Sequence, residues 1–376
     1  MVRSKAVKRI ASLAVVALVA VGAAACGSDD TSGNGDGNGD GNTATKKVGV
    51  ILPDATTSPR WEANDRPSLQ AAFDAAGIEA DIQNADGDKA KFGTICDSMI
   101  NTGVQVLMIV NLDSESGSAC LKKAAAAGIK SIDYDRLTLG GGASYYVSFD
   151  NVVVGQLMGE GLIKCLDDAG KTKANVVFID GDPTDNNAAL FKQGYEGAIQ
   201  PKIDSGDYTL VGDQTGKWDA TVAGTAFEQI YTDNDGKVDG VVSANDTMAG
   251  GIIARLAANG LAGKVPVTGQ DASVEGLQRV LAGTQCMTVY KDTNIEAKAA
   301  SDLAIALING DDAAAAALAT KTVEDTVAGV QVPSALAVPE SIFKDGVAKV
   351  VSDGFQSAAD ICTGKFAKFC KKYGVQ

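Results

Sequence analysis

Residues able to hold a small polar ligand recur along this 376-residue chain, most of them just beyond a short apolar run. Arg60-Trp61 comes first, then Asp135-Arg136, Asp150-Asn151 and the stretch from Asp182 to Asn187. Trp218, Asn245-Asp246, Gln270-Asp271 and Lys291 complete the set. Carboxylate, carboxamide and guanidinium groups are planar and bidentate, so each can bridge two neighbouring hydroxyls. Both tryptophans of the chain fall in the set, and an indole face covers the C–H face of a saturated ring. This chemistry suits an uncharged amphiphilic ring such as a pyranose. Singly, each residue also has an ordinary reading, because Asp and Asn after a strand cap helices and form turns. Asp246, directly before Thr247, is read as such a cap. Trp218 sits in the polar loop Thr215-Gly216-Lys217-Trp218-Asp219, which favours a ligand platform over a core position. Lys291 is either a solvated strand end or a donor. The joint occurrence points to one site.

Composition excludes other chemistry. The chain has no histidine, which removes Ser-His-Asp and Cys-His catalysis, His proton shuttles and every His-ligated metal site. With 33 Lys+Arg against 47 Asp+Glu, the formal charge of −14 disfavours a nucleic-acid backbone, which needs clustered basic residues. Gly140-Gly141-Gly142 lies between two strands rather than at a helix start, and neither a P-loop nor a dinucleotide fingerprint occurs. No cofactor and no metal is expected.

From Lys47 the hydrophobic pattern alternates between period 2 and period 3.6. It predicts strands over 48–53, 78–83, 104–110, 129–134 and 144–149. Helices over 61–76, with Pro67 bending or restarting the first, 89–101 and 116–127 lie between them. A second series predicts helices over 152–167, 187–199, 220–231, 247–258 and 274–281. Its strands fall at 175–179, 208–212, 238–243, 265–268 and 286–290, and a helix over 295–308 follows. Strands alternating with amphipathic helices imply right-handed crossovers and parallel sheets covered on both faces. The fold class is therefore α/β with two doubly wound lobes. In such sheets ligands bind beyond the carboxyl ends of the strands, which is where the polar set falls.

The N-terminus carries Arg3, Lys5, Lys8 and Arg9 before an apolar run over 10–25. That run is short for a membrane span and has the form of an export signal. Its end, Ala23-Ala24-Ala25-Cys26-Gly27, resembles the bacterial lipoprotein cleavage box, although Ala23 stands where a larger apolar residue is usual. The expectation is cleavage after residue 25, lipidation of Cys26, and attachment to the outer face of the cytoplasmic membrane. Cleavage leaves 29 basic against 47 acidic residues, a charge of −18. The Gly, Asn, Asp, Ser and Thr of 27–45 cannot bury apolar surface and read as a tether. Its Gly-Asn-Gly-Asp repeats lack the scaffold of a calcium loop, and Asp233-Asn234-Asp235-Gly236 fails the spacing, so both read as loops.

Several stretches then resemble one family. Arg60-Trp61, IDYDR ending in Asp135-Arg136, YYVSFDN to Asn151 and PTDNNAALF from Pro183 are similar to the D-xylose-binding proteins of bacterial ABC importers. VVSANDTMAGG from Val241, TGQDAS from Thr268 and AGTQCMTVYK from Ala282 are too, in the same order, from about Lys47 to about Phe355. The resemblance places the chain among type I periplasmic sugar-binding proteins, in which two lobes joined by a three-strand hinge close on one monosaccharide. It implies ligand contacts from Arg60, Trp61, Asp135 and Arg136 in the first lobe. From the second it implies Asp185, Asn187, Trp218, Asn245 and Asp271, with Lys291 near a crossing strand. The loop before Trp218 is one residue shorter than the family's. Related multiple-sugar receptors share much of the pattern. The expected lobes are 47–150 with 292–330, and 151–291 with 331–376. The tail from Gln356 lies outside the resemblance.

Of seven Cys, six remain beside Cys26, and six allow 15 pairings. Cys96 and Cys120 lie on consecutive helices that a sheet ordered 2-1-3-4-5 sets side by side, which makes them the first choice. Cys362–Cys370 can close a small C-terminal loop, and Cys165–Cys286 is the remainder. No CxxC spacing supports a zinc site. The sequence thus points to a lipid-anchored, monomeric, non-enzymatic monosaccharide receptor, D-xylose first, that serves the permease subunits of an ABC importer. A multiple-sugar receptor feeding a transporter or a chemosensory partner is the alternative. A secreted carboxylate glycosidase is disfavoured because neighbouring Arg, Asn and Lys should hold its acids ionised.

Overall fold

The computed structural model describes residues 45–376, so the expected signal, Cys26 and tether lie outside the described residues. The first strands are β1 (Lys47–Leu52), β2 (Glu79–Asn84), β3 (Val106–Ile109), β4 (Lys130–Tyr134), β5 (Tyr145–Phe149) and β6 (Ala174–Asp180). They are followed by β7 (Tyr208–Thr215), β8 (Gly240–Ser243), β9 (Thr288–Tyr290), β10 (Lys321–Asp325), β11 (Val330–Ala337) and β12 (Glu340–Ile342). The helices of the first series are α1 (Arg66–Ala75), α2 (Lys89–Asn101) and α3 (Ser114–Ala126). Those of the second are α4 (Asn151–Asp168), α5 (Asn186–Asp204), α6 (Ala220–Asp233), α7 (Asp246–Ala258), α8 (Val274–Ala282) and α9 (Thr293–Ile308). Shorter helices α10 (Asp312–Leu318), α11 (Val347–Ser352), α12 (Ala358–Ile361) and α13 (Ala367–Tyr373) close the chain.

The first sheet has the order β10-β11-β5-β4-β3-β1-β2, parallel except for β10. The second has β7-β6-β8, all parallel, and β9 pairs with β12 beside it. The strand expected over 265–268 is reduced to bridges, Val267 to Val241 and Gln270 to Val289. The ladder stops there because Ser243 N–H donates to the Thr268 hydroxyl (3.2 Å) instead of to a carbonyl. β11 runs parallel to β5 as far as Ala337, so the chain stays with the first sheet seven residues beyond the expected boundary at 330. Three segments cross between the sheets: Phe149 to Asn151, Tyr290 to Thr293, and Ala337 to Glu340. Asp150 N–H donates to Ala337 O (3.1 Å), which ties the first crossing to the third.

Most helices start at an acid or amide that accepts from their first-turn N–H groups. Asp88, Asp113, Asp150, Asp185, Asp219, Asn245 and Asp292 all do so, satisfying donors that a helix cannot pair internally. The cap of α7 is Asn245, not Asp246 as the sequence suggested. Each lobe encloses its own core: Val50, Leu52, Phe73, Met108 and Leu303 in the first, and Val177, Phe178, Ile179, Phe227 and Ile252 in the second. Glycines let α4 and α5 pack closely, since a Cβ on Gly155 would stand 2.0 Å from Phe191 O. The tail folds onto α8, where Phe355, Ile361, Cys370 and Val375 join Leu277, Val280 and Leu281 in an apolar cluster. Disulfides join Cys96 to Cys120, Cys165 to Cys286 and Cys362 to Cys370, with Cα separations of 5.9, 6.5 and 5.8 Å.

Candidate functional site

The carboxyl ends of both sheets face one small cavity between the lobes. All ten residues that the resemblance implies as ligand contacts line it. They are joined by Thr57, Ser58, Phe191 and Gln270. Gln270 belonged to the strand-end set, and Phe191 stands one helical turn after Asn187. Thr57 and Ser58, in the loop after β1, carry no such signal. Asp182 accepts from Thr184 outside the cavity, and Asp150 caps α4 and pairs with Lys321 (3.6 Å) without joining the lining.

Arg60 opens the first lobe's contribution. It precedes a π-helical turn over Trp61–Asp65, a wider turn often found at functional sites. The turn sets Asp65 where it accepts from Arg60 Nε (3.0 Å) and Nη2 (2.7 Å). Nη2 also donates to Glu296 on α9 (2.5 Å), Nη1 donates to Asp135 (2.7 Å), and the Tyr134 hydroxyl donates to Asp65 (2.5 Å). Burial would lower the Arg60 pKa, but Asp65, Glu296 and Asp135 raise it well above the usual value. Glu296 shows the reverse balance. Burial, reinforced by Asp135 and Asp65, outweighs Arg60 and pushes its carboxyl up to about 8. The guanidinium of Arg60 lies 4.4 Å from the Trp61 ring centroid, and that of Arg136 lies 5.7 Å away.

Asp135 adopts φ 63°, a left-handed conformation that costs a non-glycine residue about 1–2 kcal/mol. Three donors converge on its carbonyl and hold it there: Tyr146 OH (3.0 Å), Ser148 Oγ (2.8 Å) and Asn187 Nδ2 (3.0 Å). Burial raises its carboxyl, but Arg60, Lys291 and Arg136 overcome that and hold it below the usual range. Asp185, in contrast, is raised by burial despite Arg136, and Asp135 adds to the rise. Basic neighbours therefore outweigh burial at Asp135, whereas burial outweighs them at Asp185.

The second lobe meets the first across the cavity. Asn187 Nδ2 donates to Asp135 Oδ1 (3.1 Å), while Asn187 Oδ1 accepts from Asn151 (2.9 Å). Ser58 Oγ donates to Asp271 (3.2 Å), and Asn245 Nδ2 donates to Thr57 O (3.3 Å). Lys291, 4% exposed, pairs with Asp271 at 3.3 Å. Arg136 Nε lies 3.0 Å from Asp185 Oδ2, misaligned enough that its N–H makes no hydrogen bond. Trp218 is 6% exposed, edge-on to Phe191 with centroids 6.3 Å apart. It serves both the second core and the cavity wall. Gly181 makes its place, since a Cβ there would stand 2.1 Å from the indole.

Behind the wall, Asp246 is buried and takes no part in the lining. Its carboxylate accepts from Gln285 Nε2 (2.6 Å), Ser273 N (3.0 Å) and the Thr288 hydroxyl (3.1 Å). Burial pushes it up to about 6. It anchors the loop in which Asp271 and Ala272 hold φ 101° and 48°.

Two features define what the cavity can accept. Three cations (Arg60, Arg136, Lys291) stand against three carboxylates (Asp135, Asp185, Asp271), so the lining balances in formal charge. Trp61 Nε1, Trp218 Nε1 and Gln270 Oε1 are buried there without hydrogen-bond partners. Each unpaired group costs about 1–3 kcal/mol. An uncharged ligand with donors and acceptors around its edge and apolar faces would pair them.

The profile of the periplasmic binding protein domain matches residues 48–312. The D-xylose-binding periplasmic protein of Escherichia coli K12 is 35% identical over 317 residues, covering 84% of this chain and 92% of that protein. A multiple sugar-binding periplasmic receptor of Rhizobium radiobacter is 34% identical over 334 residues, covering 83% and 91%. Among solved structures, an ABC transporter solute-binding protein from Clostridium phytofermentans with bound β-D-glucose superposes with a TM-score of 0.75. It is 27% identical and matches 84% of this chain and 100% of that one.

Proposed function

This chain belongs to the periplasmic binding protein family, and we propose that it is the monosaccharide receptor of an ABC importer, with D-xylose as its ligand. It carries no catalytic chemistry: relatives are sugar-binding proteins of transport systems. The carrying observation is the charge-balanced cavity with unpaired indole and carboxamide groups on both lobes. A pyranose supplies hydroxyls to both sides at once, so ligand favours the closed arrangement by the difference in its contacts. Asp135, Asp185 and Asp271 would accept hydroxyl hydrogens, Arg60, Arg136, Asn187, Asn245 and Lys291 would donate, and Trp61 and Trp218 would cover the ring.

Lipidation at Cys26 would hold the receptor at the outer face of the cytoplasmic membrane, where it hands sugar to permease subunits as a monomer. Support comes from the cleavage box and polar tether, and no helix among the described residues is long and apolar enough to cross a membrane. A broader specificity is the second reading of the ligand, favoured by the 34% identity to multiple-sugar receptors. Calorimetric titration of residues 46–376 with xylose, glucose, galactose, arabinose and ribose tests both. A tight one-to-one isotherm for xylose alone supports the xylose receptor. Comparable affinities move the reading to several sugars, and no binding to any of the five refutes the ligand.

A further inference from the structure

The last turns of the chain are basic within an acidic protein. Residues 363–376 hold four lysines and no acid, in a chain of net charge −14. The helical stretch runs from a 3₁₀ turn at Gly364–Phe366 directly into α13. Lys365, Lys368 and Lys372 recur at three- and four-residue spacing, which puts them on one face. Lys371 lies one turn from Lys368. All four are exposed, and none forms an ion pair among the described residues, although Asp360 and Glu275 lie on the neighbouring α12 and α8. Each of the three in register stands over the aromatic ring that follows it: Lys365 over Phe366 (5.2 Å), Lys368 over Phe369 (4.8 Å) and Lys372 over Tyr373 (4.9 Å). The three rings are half-buried.

This face is held rigidly. Gln278 Nε2 on α8 lies within hydrogen-bonding reach of Asp360 O (3.2 Å), Ile361 O (3.0 Å) and Thr363 Oγ1 (3.2 Å). The Cys362–Cys370 disulfide and the burial of Ile361, Cys370 and Val375 fix the other side. We propose that the Lys-aromatic face of residues 364–373 is a contact surface for an anionic lipid bilayer, which sets the orientation of the receptor on its membrane. The proposal rests on the reading of an anchored receptor, since the anchor brings the domain within a tether's reach of lipid.

Charge and shape favour lipid. Lysines with long apolar stems beside half-buried aromatic rings match the headgroup boundary, where ammonium groups stay wet and rings enter the interface. From Lys365 to Lys372 the helix rises only about 10 Å, close to the Debye length of about 8 Å at physiological salt. The basic residues therefore act together on a charged plane, while acids further back on the body are screened.

The test is flotation of residues 46–376, which contain all the described cores and disulfides, with vesicles. Phosphatidylcholine vesicles are compared with an equimolar mixture of phosphatidylcholine and phosphatidylglycerol. Binding is expected only to the anionic vesicles, weakening as salt rises. Each single Lys→Gln change at 365, 368, 371 or 372 should lower it about fivefold, and the quadruple variant should abolish it while still binding sugar. Equal flotation of wild type and quadruple variant, or no flotation with anionic vesicles, overturns the proposal. A salt-sensitive contact with the detergent-solubilised permease alone would overturn it in favour of a protein partner. Because residues 1–45 are omitted, failure here is separate from failure of the anchor, which loss of membrane attachment in Cys26→Ser tests.

Discussion

Replacing Trp218 by Phe separates the hydrogen bond of this residue from its bulk. In the closed arrangement the indole Nε1–H is buried without a partner, while the ring packs edge-on against Phe191. Phe keeps a ring at that contact and removes only the orphan donor and part of the indole volume. If a sugar hydroxyl takes that donor, the variant leaves the hydroxyl unpaired on closure, at about 1–3 kcal/mol, or roughly 5- to 150-fold in affinity. Trp218→Ala should cost at least tenfold, because it also removes the face that covers the ring. It carries a larger stability cost of about 3–5 kcal/mol, which makes Phe the cleaner variant. The assay is calorimetric titration of residues 46–376 with the sugar that binds wild type most tightly, with circular dichroism and melting temperature as controls. Affinity within about twofold of wild type in a folded Trp218→Phe protein, with no effect of Trp218→Ala, would refute the placement of Trp218 against ligand.

Four other outcomes are expected. Gly181→Ala should weaken sugar binding although Gly181 offers no side chain to ligand, because its Cβ would stand 2.1 Å from the Trp218 indole; unchanged affinity would show that the indole can shift freely. Stability should fall as pH rises from about 5 to about 8. Burial raises Asp246 to about 6, Asp133 to about 7 and Glu296 to about 8, against about 4 in the unfolded chain. The folded state therefore holds extra protons across that window, each group contributing up to about 1.4 kcal/mol per pH unit. That stabilisation is complete below about pH 4 and is lost as pH passes through 6 to 8; a melting temperature flat or rising over this range would contradict the burial of these carboxyls. The unreduced mass of residues 46–376 should lie six hydrogens below the all-thiol value, whereas six titratable thiols would exclude the three disulfides. Reduction should destabilise most through Cys165–Cys286, whose sequence separation of 121 exceeds the 24 and 8 of the others.

Much of the site was legible because the rule that exposes it is local. A strand is recognisable from its own apolar run, the residue just past it is known from the sequence, and parallel strands bring their carboxyl ends to one edge. Arg60, Asp135, Asn187, Trp218, Asp271 and Lys291 could therefore be assembled without knowing a single contact between them. The helix starts were equally legible, since a capping Asp or Asn acts on N–H groups two or three residues away. Asp246 was the exception: it follows the true cap, Asn245, and its partners lie 27 to 42 residues downstream.

What only the tertiary structure decided was made by groups far apart in sequence. Glu296 reads as an ordinary first-turn acid of α9, yet it meets Arg60 across 236 residues. Burial there pushes its carboxyl up to about 8 despite that guanidinium. The strand expected near Val267 kept its apolar residues but lost its ladder to the Thr268 hydroxyl, a competition that hydrophobic period does not register. β11 looked like the second lobe's by position and joined the first sheet by pairing with β5. Local pattern determined which residues could face a ligand, because periodicity and capping act over a few residues. Which of them became unpaired, shielded or shifted in pKa was decided by desolvation and partners, which exist only once the lobes fold and meet.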